Sequence, residues 1–245
     1  MPINHDDAFI DGHQLVFFLP SVSATHRSDV IDTLLAAQLM ATQKAQENVY
    51  PWAGYTGILG RLGWRLTQSW PELCCERLAP SSTVQAFVNQ FAAKRFQPST
   101  VGQIRAGMDC LAALPCNTPI DTKLRQAWLS EAAPCEADEL QAPHEIRLRL
   151  AAVGEDDGLT QLHARLLINR HPGPNWLTQD MPESVIESVH IRAQHFTFNK
   201  RVYERLRPMI EPQLEPLRTT HITPMAGAEA REQKPDAPIQ TFFPG

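Results

Sequence analysis

The hydropathy pattern changes period at Pro143, and no other feature of the chain narrows its fold as much. Beyond it Ile146, Leu148 and Leu150 alternate with Glu145, Arg147 and Arg149, the two-fold period of a strand with one buried face. Gly154-Glu155-Asp156-Asp157-Gly158 is a turn sequence, and Leu162, Ala164, Leu166 and Ile168 alternate again after it. Residues 145–170 therefore read as an antiparallel hairpin. A third strand over 187–198 places Val189, Ile191 and Ala193 on one face. Ile146, Leu148, Leu162, Leu166, Val189 and Ile191 are expected in the core, because a slip of one residue would expose them all.

The same parity assigns the opposite face. If the three strands pair, that face carries Arg147, Arg149, His163, Arg165, His190 and Arg192, together with Gln161, Gln194 and Phe196. Clustered guanidinium groups suit phosphate, nucleic acid or an acidic protein surface, so the six basic residues are the candidate ligand-binding set. The competing reading is a solvated sheet face whose arginine stems cover apolar neighbours.

Upstream the chain is mainly helical and segmented, as twenty prolines against twelve glycines imply. Residues 14–19 form a short apolar strand ended by Pro20, and 64–70 a second one stopped by Pro71, a candidate partner for the first. A helix over 25–46 lines up Val30, Leu34, Ala37, Ala41 and Ala45. The aromatic stripe of Trp52, Tyr55, Ile58, Leu59 and Leu62 is expected to pack on those alanines; its composition also suits a membrane interface, but it is too short to span a bilayer. Further helices are predicted over 83–95 with Ser82 as cap, 100–113, 121–132 and 200–214, the last broken by Pro212 and Pro216.

The expected fold is α+β: a helical N-terminal and middle region packed with a small antiparallel sheet, then a C-terminal helix and an extended tail. One domain is expected over 1–218, mainly helical to 140 and sheet plus helix from 141, followed by a flexible tail over 219–245. Ile239, Phe242 and Phe243 close that tail and are candidate partner-docking residues, since exposed aromatics at a chain end need a reason.

Little else carries chemistry. Ser23, His26 and Asp29 lie along one helix edge, which suits helix caps and cannot surround a substrate carbonyl. Glu155, Asp156 and Asp157 lack the alternating spacing of a calcium loop. The five cysteines have no zinc spacing and read as small buried thiols. No GxGxxG, P-loop or HExxH motif is present, and no metal, cofactor or catalytic residue is expected. A net charge of −5 disfavours a surface built for nucleic acid. The first residues show no basic-then-apolar leader, which points to a soluble cytoplasmic chain without a membrane span. The leading functional expectation is a non-enzymatic interaction or assembly protein, bound to another protein or to copies of itself. Binding of an anionic ligand or nucleic acid on the basic face is the second, and an enzyme of unrecognised type the third.

Overall fold

The structure, a computed structural model, describes residues 8–45, 52–75, 83–116, 118–131, 144–154 and 157–225. In chain order it runs β1 (Ala8–Asp11), β2 (Gln14–Phe18), α1 (Ala24–Ala45), α2 (Trp52–Arg61), β3 (Trp64–Cys75), α3 (Val84–Arg95) and α4 (Pro98–Ala112). It continues with α5 (Pro119–Trp128), β4 (Leu129–Glu131), β5 (His144–Val153), β6 (Gly158–Ile168), β7 (Ile186–Phe198), α6 (Lys200–His221) and β8 (Ile222–Pro224). The fold is α+β, with a mixed sheet of strand order β3-β7-β6-β5-β2-β1-β8 and β4 paired to β5.

The predicted three-stranded unit is the middle of this sheet. β5 and β6 pair antiparallel, as do β6 and β7, with Leu148 opposite Ala164 and Ala164 opposite Ile191. Ile146, Leu148, Leu162, Leu166, Val189 and Ile191 are all buried in one core.

The short upstream strands do not pair with each other. β2 lies parallel to β5, with Leu15 opposite Leu150, while β3 pairs antiparallel with β7. Burial explains the sorting. Every residue of β2 is buried, so it needs cover on both faces and neighbours on both sides. β3 exposes Arg65, Leu66, Thr67, Gln68 and Ser69, and it ends the sheet. That edge position lets it run through Pro71 to Cys75, with a register irregularity between Trp70 and Leu73, because an edge proline forfeits no ladder bond.

Two helix ends also differ from expectation. The helix expected over 121–132 stops at Trp128, and Leu129–Glu131 becomes a strand on β5. Along β5, β2 reaches only Leu150–Val153, and the remaining edge of β5 offers unpaired backbone groups that β4 satisfies. α6 continues through Pro208, Pro212 and Pro216, which are four residues apart and all exposed. The carbonyls they leave unpaired thus lie on the wet side of the helix. Its dry side is anchored by buried Tyr203, Ile210 and Leu214 and by two arginines bound to α1. Arg207 Nη2 donates to both Asp29 oxygens at 2.7 Å, and Arg218 Nε donates to Asp32 at 2.8 Å.

The sheet separates two cores. On one face α3, α4 and α5 cover Leu15, Phe17, Leu148, Leu162 and Ile191. On the other, α1, α2 and α6 cover Val16, Phe18, Ala151, Val153, Leu159, Phe196 and Phe198. Tyr55, Ile58, Leu59 and Leu62 join this second core beside α1, as their stripe predicts. Thr219 to His221 still belong to α6 and Ile222–Pro224 pairs with β1, so the first residues of the expected tail are structured. Ile239, Phe242 and Phe243 lie outside the described residues. Among the described residues no helix is long and apolar enough to cross a membrane.

Candidate functional site

Among the described residues, helices cover the second sheet face over the strand ends that carry Ala151, Leu159 and Phe196. The other ends of β5, β6 and β7 form the floor of an open pocket of about 590 Å³. All six basic residues named from strand parity line it: Arg147, Arg149, His163, Arg165, His190 and Arg192. The described helices contribute one side chain to its wall, Trp52.

Register sets the floor plan. Arg149 lies opposite His163, which lies opposite Arg192, and this is one row. The next row is Arg147, Arg165 and His190. Neighbours in a row are roughly 5 Å apart and the rows roughly 7 Å apart, from the spacings of a sheet. Like charges directly opposite each other destabilise a sheet, so such a grid needs counter-charge.

Two carboxylates supply part of it. Glu145, on the same side of β5, has a side chain only 1% exposed and ion-pairs with Arg147 and Arg165. Ser130 Oγ donates to it at 3.4 Å. Burial opposes the charge of Glu145, but the two guanidinium groups outweigh it and hold the carboxyl below its ordinary range. Glu72 reaches in from β3, with Oε2 at 2.8 Å from Arg192 Nη2 and Oε1 at 3.6 Å from His190 Nδ1. The hydrogen bond from Arg192 lowers its pKa as well.

His163 occupies the centre of the first row. Burial, Arg149 and Arg192 all push its pKa well below the ordinary value, so the ring is neutral near pH 7. Its ring meets that of Trp52 at a tilt of 55° with centroids 3.8 Å apart, and its Nε2 is buried without a hydrogen-bond partner among the described residues. Arg149 is 7% exposed, far from the solvated arginine of an ordinary sheet surface. Behind it, Gln161 donates to Tyr55 Oη at 2.8 Å, and that hydroxyl donates to Gln14 at 3.1 Å. Gln161 and Phe196 therefore belong under the helices rather than on the open basic floor, although they share its parity.

Other candidates are dispersed. The Ser23 hydroxyl accepts the His26 N–H at 3.3 Å, His26 Nε2 lies 3.3 Å from Asp157, and Asp29 holds Arg207, so this trio serves structure. Cys116 is exposed and Cys110 half-buried, unlike the buried thiols expected, because both sit at the outer end of α4 and its following turn. Cys74 and Cys75 are on β3, and Cys135 lies outside the described residues. Among the described residues no three His, Cys, Asp or Glu side chains gather as a metal would need.

Sequence reasoning missed Glu145, Glu72 and Trp52 as parts of the pocket. Glu145 was readable, since it shares the parity of Arg147 and Arg149. Glu72 lies beyond Pro71, where the strand was expected to stop. Trp52 begins the stripe assigned to helix packing; it packs against the second core and also covers His163.

No family model matches the chain, and no curated protein matches it. Nine chains of solved structures are similar to it, among them these two. One is a delta-endotoxin, at 9% identity over 77% of this chain and 81% of that one, with a TM-score of 0.46. The other is the activated Cyt2Ba monomer from Bacillus thuringiensis subsp. israelensis, at 7% identity over 77% of this chain and 98% of that one, with a TM-score of 0.47. Likenesses this slight carry no argument about what this chain does.

Proposed function

We propose that this protein binds a small anionic ligand in the basic pocket at the end of β5, β6 and β7 that carries Arg147, Arg165 and His190. One observation supports the reading above the others. Two in-register rows of basic side chains form the floor of a concavity that, among the described residues, is lined by four guanidinium groups and two carboxylates. Crowding like charges costs stability, and an anion recovers it through charge-assisted hydrogen bonds. A concave site of this volume matches small-molecule pockets better than the extended groove a nucleic-acid strand follows. The assembly reading drew on a docking tail whose tip residues Ile239, Phe242 and Phe243 lie outside the described residues.

Arg192→Gln is the variant that tests this reading. Arg192 is 47% exposed and paired with the partly exposed Glu72, so its loss should leave the fold alone. Arg165 also neutralises buried Glu145, and Arg149 is buried, so changes there mix binding with stability. Calorimetric titration with phosphate and sulfate esters at low ionic strength should show binding that weakens with added salt and with Arg192→Gln. No heat from any such anion with the unaltered protein, at 20 mM salt and millimolar ligand, would sink the proposal.

A further inference from the structure

Resting on that reading, we infer that the pocket takes up a proton together with its anion, and that His163 carries it. Geometry singles this ring out. His163 is the middle residue of the row that runs Arg149, His163, Arg192 across β5, β6 and β7, and it lines the pocket. It is half-buried, with the Trp52 ring against it and its Nε2 left without a hydrogen-bond partner among the described residues. A buried polar atom without a partner costs stability, and an arriving acceptor recovers it.

The protonation state follows from what surrounds the ring. A neutral imidazole donates from one nitrogen, whereas the charged ring donates from both. Burial first, then Arg149 and Arg192, keep His163 neutral near pH 7. An anion seated in the same pocket acts in the opposite direction. Its charge favours the imidazolium from within about 4–6 Å, and its oxygens give the second N–H an acceptor. Binding should therefore tighten as pH falls through the value that the ring has in the complex.

The other titratable groups around the pocket are separable. Glu72 reaches it from β3 and Glu145 from β5, and both carboxyls are held below their ordinary range, so neither changes charge above about pH 5.5. The four lining guanidinium groups, like any arginine, hold their charge. From α2 the Tyr55 hydroxyl points away, donating to Gln14 and accepting from Gln161 deeper under the helices. His190, in the next row with Arg147 and Arg165, is the second imidazole lining the pocket.

The experiment measures phenyl sulfate binding by calorimetric titration at low ionic strength, from pH 8 down to about 5.5, the range in which imidazoles change charge. The unaltered protein, His163→Gln and His190→Gln are compared. Phenyl sulfate is a monoanion throughout, so its own charge cannot supply a slope. The expected result is about tenfold tighter binding at the acid end in the unaltered protein and in His190→Gln, and less than about a twofold change in His163→Gln. Titration of the unaltered protein in two buffers of different ionisation heat counts the proton directly. Thermal melting confirms that the variants fold, and His163→Asn stands in should His163→Gln not fold. A flat profile in the unaltered protein, a slope that survives removal of His163, or a slope lost in folded His190→Gln overturns the inference while leaving an anion site in place. Binding of neither phenyl sulfate nor any phosphate ester, at any pH, overturns the proposed function with it.

Discussion

Glu145→Gln isolates the interaction that makes the basic floor tolerable. The side chain is 1% exposed, and it neutralises Arg147 and Arg165, which face each other directly across β5 and β6. Removing one member of a buried ion pair typically costs about 3–5 kcal/mol, because the remaining charge is stranded. Here the stranded groups keep some water, Arg147 being 29% and Arg165 53% exposed, so solvent screening reduces the expected loss to about 1–3 kcal/mol. Acid should then erase the difference. The carboxyl is held below its ordinary range in the fold, so its contribution is fully present above the unfolded value of about 4.3. It is lost as pH falls through the lower, folded value. Urea unfolding of the two proteins should give midpoints that differ at pH 7 with equal slopes, and that converge as pH falls below the unfolded carboxylate value while the fold persists. An undiminished gap in acid, or none at pH 7, would refute the assignment of this carboxylate as the counter-charge.

Three further outcomes follow from the packing and the buried histidines. Gly107→Ala should destabilise the fold by more than about 1 kcal/mol, since the new methyl would lie 2.0 Å from Phe17 ring atoms; Gly102→Ala on the same helix meets nothing and should stabilise by up to about 1 kcal/mol. Both are read by thermal melting, and equal shifts would contradict the seating of α4 on β2. Leu148→Ala and Leu166→Ala should each cost about 2–5 kcal/mol in urea unfolding, both side chains being fully buried, and a loss below 1 kcal/mol at either would deny that position its place in the core. His13 has its pKa lowered from 6.5 to about 4 by burial first, then by Arg149, His221, Arg147 and Lys123. Its unfolded form therefore takes up a proton first, and stability falls from pH 6.5 down to about 4, by up to about 3 kcal/mol. Stability curves for His13→Gln should lack that part of the slope; identical curves would remove the effect.

The strongest local signal in the chain, the two-fold period over 145–168 and again over 187–198, was sufficient for β5, β6 and β7 and for the parity that puts six basic residues on one face. Helix positions were legible for the same reason: apolar spacing and caps act within a few residues, as Thr83 does for α3, one residue after the cap expected. Parity says which face a side chain joins but not what lies over that face. Only the placement of α1, α2 and α6 decided that Gln161 and Phe196 are covered while Arg165 and Arg192 look into an open pocket. Long-range pairing was equally invisible. The parallel alignment of β2 with β5 joins residues far apart in sequence, and it follows from the two-sided burial of β2 and the edge character of β3. Prolines read as stops were overridden where their missing donors cost nothing: Pro71 at the sheet edge, and Pro212 and Pro216 on the wet face of a helix anchored from its other side. Glu72 enters the pocket only because that edge strand runs on past its proline, a consequence of tertiary position and not of local sequence.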